Sequence, residues 1–272
     1  MDIIGHRGNQ EEYVENSYEA IIDCSKSSDI DGTEFDIRPT GDGNIVVIHN
    51  PKINGYRVID LSVDDLKKME FQTLKIDQLV QKIYNLRTNS KYFKELYEKR
   101  GREKSHIPLF EDVLSDFDKS KHMLIELKGL DGEYSSREQD IYEKKLVELL
   151  KQYDYKSRNI ALEGYNLKAL MRIKNQLPDL PIISLINKSG NFDSLDMGFD
   201  GSSVENVIIT NSLIERIIGG NMKLYSWDDK TPIKHYVHIN NILNYYRDEI
   251  NDGRFDFTVI NDFPREARRR IK

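Results

Sequence analysis

The sequence predicts an α/β fold: a single closed (β/α)8 barrel of the TIM type with a small helical insertion after its second strand. Three observations carry this expectation. Short apolar runs alternate with amphipathic stretches from one end of the chain to the other, which is the pattern of βαβ units around a parallel sheet. Eight runs read as barrel strands. A length of 272 residues suits one such barrel and allows a large core.

Residues 2–5 are the first expected strand, followed by a helix over about 16–28 and a second strand over 32–37. The turn Gly41-Asp42-Gly43-Asn44 brings the chain back as a hairpin strand over 45–48, because glycine accepts the positive φ that a tight turn requires. Later strands are expected at 122–127, 158–162, 181–185, 199–204, 222–227 and 257–260. Helices are expected over 139–152, 166–176, 211–218 and about 233–250, while the link 187–197 is too short and polar to form one. Residues 51–108 break this rhythm. They are far longer than an ordinary βα connection, carry helical apolar spacing of their own, and read as an inserted subdomain within one domain spanning 1–272. Inside the insertion, Ser62 reads as a helix N-cap with Asp65 three residues on, and the charged segment 91–104 reads as a solvated helix.

Composition narrows the function classes. Forty Lys and Arg against 46 Asp and Glu give a formal charge of -6, which argues against a broad nucleic-acid footprint. The basic triplet Arg268-Arg269-Arg270 reads as a solvated helix end. No run of about 18 apolar residues is present to span a bilayer, so no stable membrane insertion is expected. The single cysteine, Cys24, excludes an internal disulfide and reads as a small buried residue. With no secretory pattern ahead of Asp2-Ile3-Ile4-Gly5-His6, a cytoplasmic location is the default expectation.

The chemistry concentrates on a few polar residues at expected strand ends. Glu34 and Asp36 are two apart in a strand, so both side chains leave the same face and can converge on one ion. Two ordinary surface carboxylates would show the same spacing, but Gly32 and Phe35 mark an interior strand, where unpaired charge is costly. Glu126 repeats the pattern after Met123-Leu124-Ile125, with Lys128 two residues further on the same face; a structural Glu126–Lys128 pair is the plainer alternative. Oxygen ligands of this kind suit one divalent cation, Mg²⁺ or Ca²⁺, rather than zinc. His6 follows the first strand and His49 the hairpin strand, on the same rim as the carboxylates. Cleaving a phosphodiester near neutral pH needs one proton removed and another delivered, and imidazole suits both duties. Arg7 offers a planar fork of donors for phosphate oxygens, or equally for a salt bridge.

Taken in order, Gly5-His6-Arg7-Gly8, Glu15-Asn16-Ser17, Glu34-Phe35-Asp36, Asp42-Gly43 and Val47-Ile48-His49 resemble the glycerophosphodiester phosphodiesterase family. The resemblance continues through Ile107-Pro108-Leu109-Phe110-Glu111, Ile125-Glu126-Leu127-Lys128, Tyr225-Ser226-Trp227 and Ile260-Asn261-Asp262-Phe263-Pro264, and so covers nearly the whole chain. It implies a barrel enzyme that hydrolyses small glycerophosphodiesters to an alcohol and sn-glycerol 3-phosphate. It also implies one divalent ion on Glu34, Asp36 and Glu126, and His6 and His49 as the acid and base pair. Arg7 and Lys128 would hold the phosphate, and Trp227 would line the glycerol side. The chain departs from the family at Asn50, where Asp is common, at Asp228-Asp229, and at Glu163, where small Ser and Phe residues are commoner. Two acids beside Trp227 would favour a neutral or cationic alcohol, and Glu163 would reach into the mouth. Two other readings stay open: a phosphatidylinositol-type phospholipase C or sphingomyelinase D-like phosphodiesterase, and a catalytically silent barrel used for binding.

Overall fold

The structure is a computed structural model that describes residues 1–69, 106–130, 132–188, 190–227 and 232–271. Among the described residues eleven strands run in chain order: β1 Asp2–Gly5, β2 Gly32–Pro39, β3 Ile45–Val47, β4 Lys52–Ile53, β5 Tyr56–Arg57, β6 His122–Leu127, β7 Ile160–Gly164, β8 Ile182–Ile186, β9 Gly201–Glu205, β10 Lys223–Trp227 and β11 Phe257–Asn261. The main sheet is ordered β1-β11-β10-β9-β8-β7-β6-β2-β3, and an additional β1–β2 pairing closes it. All pairings around the ring are parallel, so the expected eight-stranded (β/α)8 barrel is the observed fold. β3 is the exception. It lies antiparallel on the outer end of β2, as the hairpin turn requires.

Parallel strands must be covered on both faces, and the core is accordingly double. Ile4, Leu124, Ala161, Ile183, Tyr225 and Ile260 fill the barrel interior. Outside it, two larger clusters pack the opposite strand faces against the surrounding helices, one around Phe35, Phe110 and Leu170 and the other around Val204, Ile239 and Phe257. Burying each such side chain contributes roughly 1.5–3 kcal/mol. Cys24 is buried and free, as read from the sequence.

Element boundaries differ from expectation where polar residues at the rims carry no periodic signal. β7 begins at Ile160 rather than 158, because Arg158 turns back to donate from Nε to the Tyr153 carbonyl at 2.7 Å, and it extends through Glu163 to Gly164. The first helix is Tyr18–Lys26, shorter than 16–28, since Asn16 is left-handed at φ 57 and Ser17 takes the N-cap. The expected helix over 233–250 is two helices, Pro232–Tyr245 and Arg247–Asn251, parted at the buried Tyr246. Among its described residues, link 187–197 forms an isolated bridge between Asn187 and Gly190 and a 3-10 turn, Phe192–Asp196. Of the long insertion, residues 51–69 form the β4–β5 ribbon, a 3-10 turn and the helix Val63–Lys68, whose Ser62 and Asp65 make a reciprocal capping box. The expected helix over 91–104 lies outside the described residues.

At the N-terminal end of the barrel His122 is buried between Asn159 Oδ1 at 3.1 Å and the Tyr225 hydroxyl at 3.2 Å. Burial holds its pKa below the usual histidine value, with Lys223 acting in the same direction and Asn159 opposing. The unfolded chain therefore binds this proton more readily than the fold does. Stability is full above about pH 6.5 and declines as the pH falls through that value. Melting curves from pH 7.5 to 5 should show this loss in the wild type and a shallower one in His122→Gln; equal slopes would contradict the account.

Candidate active site

The C-terminal ends of the strands gather the expected residues on one rim. β1 hands the chain to His6, whose N–H donates to the Asn261 carbonyl at 2.9 Å. Arg7 follows in the left-handed region at φ 53, and Gly8 at φ 88. A Cβ on Gly8 would lie 2.6 Å from Ala20 Cβ, so only glycine lets the loop lie against the first helix. This turn directs the Arg7 backbone N–H to Glu34 Oε2 at 3.0 Å, while its guanidinium meets Glu15 at 3.2 Å and Asp36 at 3.2 Å. A non-glycine residue held left-handed is strained, and such strain collects at functional sites.

Glu34 and Asp36 both turn inward from β2, and Asp36 stands in register with Glu126 of β6. Oxygens of Glu34, Asp36 and Glu126 all lie within 4.8 Å of one another. All three residues are buried, and each has a carboxylate oxygen without an aligned hydrogen-bond donor: Glu34 Oε1, Asp36 Oδ1 and Glu126 Oε1. Lys128 Nζ stands over two of these, 3.1 Å from Asp36 Oδ1 and 2.6 Å from Glu126 Oε1. The amide of Asn16 donates to Asp36 Oδ2 at 2.8 Å and accepts from the Asp36 N–H at 3.2 Å.

Burial and like charge push Glu34 well above the usual carboxylate range, with Asp36, Glu163 and Glu126 as the repelling neighbours. Burial also raises Glu126, with Lys128 partly offsetting it. For Asp36 burial acts upward too, but Lys128 and Arg7 overcome it and hold the group well below its ordinary value. Buried oxygens this close together, short of donors and repelling one another, fit a divalent cation and its hard-oxygen preference.

His6 and His49 flank the carboxylates. His6 Nδ1 is 2.6 Å from Asp262 Oδ1 and its Nε2 is 3.8 Å from Glu34 Oε2. Gln10 steadies this pair by donating to Asp262 at 3.0 Å and to the His6 carbonyl at 2.9 Å. His49 Nδ1 lies 3.1 Å from Asn50 Oδ1, and Arg38 Nε donates to the His49 carbonyl at 2.8 Å. Burial pushes His49 down to about 4; Arg7 and Lys128 act the same way and Asp36 opposes. The Asn50 departure thus places a neutral acceptor on His49 where a carboxylate would have favoured the charged ring.

One cavity of about 280 Å³ brings His6, Arg7, Glu34, His49, Glu126, Lys128 and Trp227 together, with Glu163 beside them. Asp36, the remaining expected residue, is buried behind Arg7 and Lys128. Glu163 does reach the mouth, whereas Asp228 and Asp229 lie outside the described residues. Sequence reasoning gave no role to Asp262, Asn16, Glu15 or Arg38. Asp262 carried a usable signal, since it directly follows the last barrel strand on the active rim. Arg38 carried none, because it acts through the backbone of another segment.

A (β/α)8 barrel with a buried acidic group, two histidines and two cations around a small cavity at its C-terminal rim defines a hydrolase of the phosphoric diester class. The chain belongs to the glycerophosphoryl diester phosphodiesterase family, which it matches over residues 6–244. It is 24% identical over 272 residues to YhdW of Bacillus subtilis strain 168, a candidate glycerophosphodiester phosphodiesterase, covering 94% of this chain and 99% of that one. Among solved structures, an Oleispira antarctica phosphodiesterase in complex with the product sn-glycerol-3-phosphate superposes with a TM-score of 0.70 at 16% identity, over 100% of this chain and 96% of that one. A Parabacteroides distasonis glycerophosphodiester phosphodiesterase superposes with a TM-score of 0.68 at 18% identity, over 98% and 95% of the two chains. At these identities the structural likeness speaks to the fold.

Proposed function

We propose that this enzyme hydrolyses water-soluble glycerophosphodiesters to an alcohol and sn-glycerol 3-phosphate, using one divalent cation, Mg²⁺ or Ca²⁺, and two histidines. The observation that carries the reading is the convergence of Glu34, Asp36 and Glu126 to within 4.8 Å, with Glu34 and Glu126 lining the cavity that His6 and His49 also line. The three carboxylates would hold the ion, which when bound supplies Lewis-acid stabilisation of charge growing on the phosphoryl oxygens. Arg7 and Lys128 hold the phosphate from the side of Asp36, which keeps both side chains in place through its ion pairs. Asp262 takes Nδ1 of His6 and Asn50 takes Nδ1 of His49, so each ring keeps Nε2 for the substrate. The two rings divide the proton transfers, one from the nucleophile and one to the leaving alkoxide. Trp227 covers the glycerol side.

The product bound to the Oleispira antarctica relative supports the choice of substrate class. In keeping with a soluble diester, no described helix is long and apolar enough to cross a membrane. The test is a headgroup screen, including glycerophosphocholine and glycerophosphoinositol, with EDTA and add-back of single divalent ions. Release of sn-glycerol 3-phosphate that EDTA abolishes and Mg²⁺ or Ca²⁺ restores is expected. Cleavage of intact micellar lipid without turnover of any soluble diester would favour a phospholipase, and no turnover of any diester would favour a binding protein.

A further inference from the structure

Arg38 is a buried cation near the rim that the chemistry above does not use. It is 3% exposed, and its guanidinium reaches three acceptors on two different segments. Nε donates to the His49 carbonyl at 2.8 Å, while Nη1 donates to Glu133 Oε2 and to the Tyr134 hydroxyl, the latter at 3.0 Å. A fork engaged on both sides cannot also turn to a phosphate. Nor does it face the reacting atoms. Arg38 and Glu133 line a second cavity of about 210 Å³, which shares His49, Glu126 and Lys128 with the active one, and neither of them lines the active cavity itself.

Stability does not explain the arrangement. Burying a guanidinium costs free energy that only well-aligned partners offset. Glu133 is 40% exposed, so solvent screens that ion pair and leaves it worth little. What the fork does secure is the backbone of His49. β3 ends at Val47, and Ile48 N–H still donates to the Asp36 carbonyl at 2.9 Å. Beyond it the chain leaves the sheet toward Pro51, which has no N–H to pair. The Arg38 bond therefore holds the chain at the residue where the sheet lets go of it.

The far side of the fork rests on a loop shaped to receive it. Gly129 stands at φ 83, and a Cβ there would run into the Tyr134 ring. Tyr134 is buried and packs edge-on against Tyr142 with ring centroids 6.3 Å apart. Tyr142 in turn donates to the Ile37 carbonyl of β2 at 2.8 Å. Arg38 thus spans from a firmly packed tyrosine on the loop after β6 to the backbone of His49.

We propose that Arg38 is a positioning residue, which fixes the His49 backbone against the loop after β6 and so sets where the imidazole stands in the active cavity. This assignment rests on the role in proton transfer proposed above for His49. Proton transfer depends steeply on placement, and a shift of about 1 Å in a reacting group can cost about 10²-fold in rate. The effect of Arg38 on the rate therefore passes through His49.

Kinetics on the diester turned over fastest in the headgroup screen, together with nitrogen NMR of the histidine rings, test this. The proteins are wild type, Arg38→Met, Arg38→Lys, His49→Ala and the double variant of Arg38→Met with His49→Ala. Arg38→Met should lower kcat about 10- to 100-fold and leave KM within about twofold. Arg38→Lys keeps the charge but not the fork, and should stay at least about fivefold down. In the His49→Ala background, Arg38→Met should cost no more than about twofold further, because the group it positions is already gone. The His49 ring signal should shift or broaden in Arg38→Met while those of His6 and His122 hold. Equal losses in the two backgrounds, full rescue by lysine, or an unmoved His49 signal would overturn the assignment. Should Arg38→Met not fold, Tyr134→Phe, which removes only the hydroxyl at the far side of the fork, carries both measurements with a smaller loss of about three- to tenfold. A displaced His49 ring beside a wild type that turns over no diester would sink the functional reading alone. Normal wild-type turnover, with kcat and ring signal both unchanged in Arg38→Met, would sink this one alone.

Discussion

Replacing His49 by alanine is expected to lower glycerophosphodiester turnover by about 10²- to 10⁴-fold while leaving the melting temperature nearly unchanged. The loss follows from position. His49 lines the same cavity as His6 and is only partly buried, with Asn50 on one ring nitrogen and no place in the apolar clusters of the described residues. Its backbone, tied to Arg38 through the carbonyl, keeps its anchor when the ring is removed. His6→Ala should behave likewise, and the double variant should be little worse than either single one, because residues that act as a unit are not additive. The measurement is kcat on glycerophosphocholine beside thermal unfolding. Turnover within a few-fold of wild type would remove the imidazole from the chemistry, whereas a collapse in stability would make its role structural.

Asp36→Asn should be more damaging, costing about three orders of magnitude in activity or more. Asp36 is where the site's parts meet: Arg7, Lys128 and Asn16 all bind it, and one of its carboxylate oxygens belongs to the acidic group. Neutralising it should weaken the grip on a cation and release Arg7 and Lys128, the two side chains proposed to hold the phosphate, together. Thermal unfolding separates the metal contribution from the rest. At about a hundredfold excess over Kd, a bound ion stabilises the wild type by about 2.7 kcal/mol, or roughly 5–10 °C, and this rise should vanish in Asp36→Asn. In metal-free protein Glu34→Gln should raise the melting temperature, because it removes a carboxyl whose ionisation is opposed by burial and by Asp36, Glu163 and Glu126. A metal-dependent rise that persists in Asp36→Asn would place the ion elsewhere.

The barrel was legible because its strands are short apolar runs between polar rims, and interior residues such as Ile4, Leu124 and Tyr225 must be apolar to fill it. Strand ends were less so. Glu163 and Gly164 belong to β7, yet a strand that ends in a carboxylate looks finished before it. The break at Tyr246 left no mark, since a buried tyrosine fits a continuous helix as well as a divided one. In the site, Glu34, Asp36, Glu126 and Lys128 could be read from period-two spacing, which puts them on one strand face. Asn16 could not be given a role, because it acts through long-range bonds to Asp36 whose distances are not encoded in local spacing, and Asp262 offered only its place after the last strand, not its bond to His6.

The central claim is that Glu34, Asp36 and Glu126 grip one shared ion. Calorimetric titration of Mg²⁺ and Ca²⁺ into metal-free wild type and into Glu34→Gln, Asp36→Asn and Glu126→Gln tests it most directly. One ion per chain in the wild type, bound about tenfold more weakly or worse in every variant, is the predicted result. Affinity that stays unchanged in all three, or a stoichiometry that drops in none of them, would contradict it.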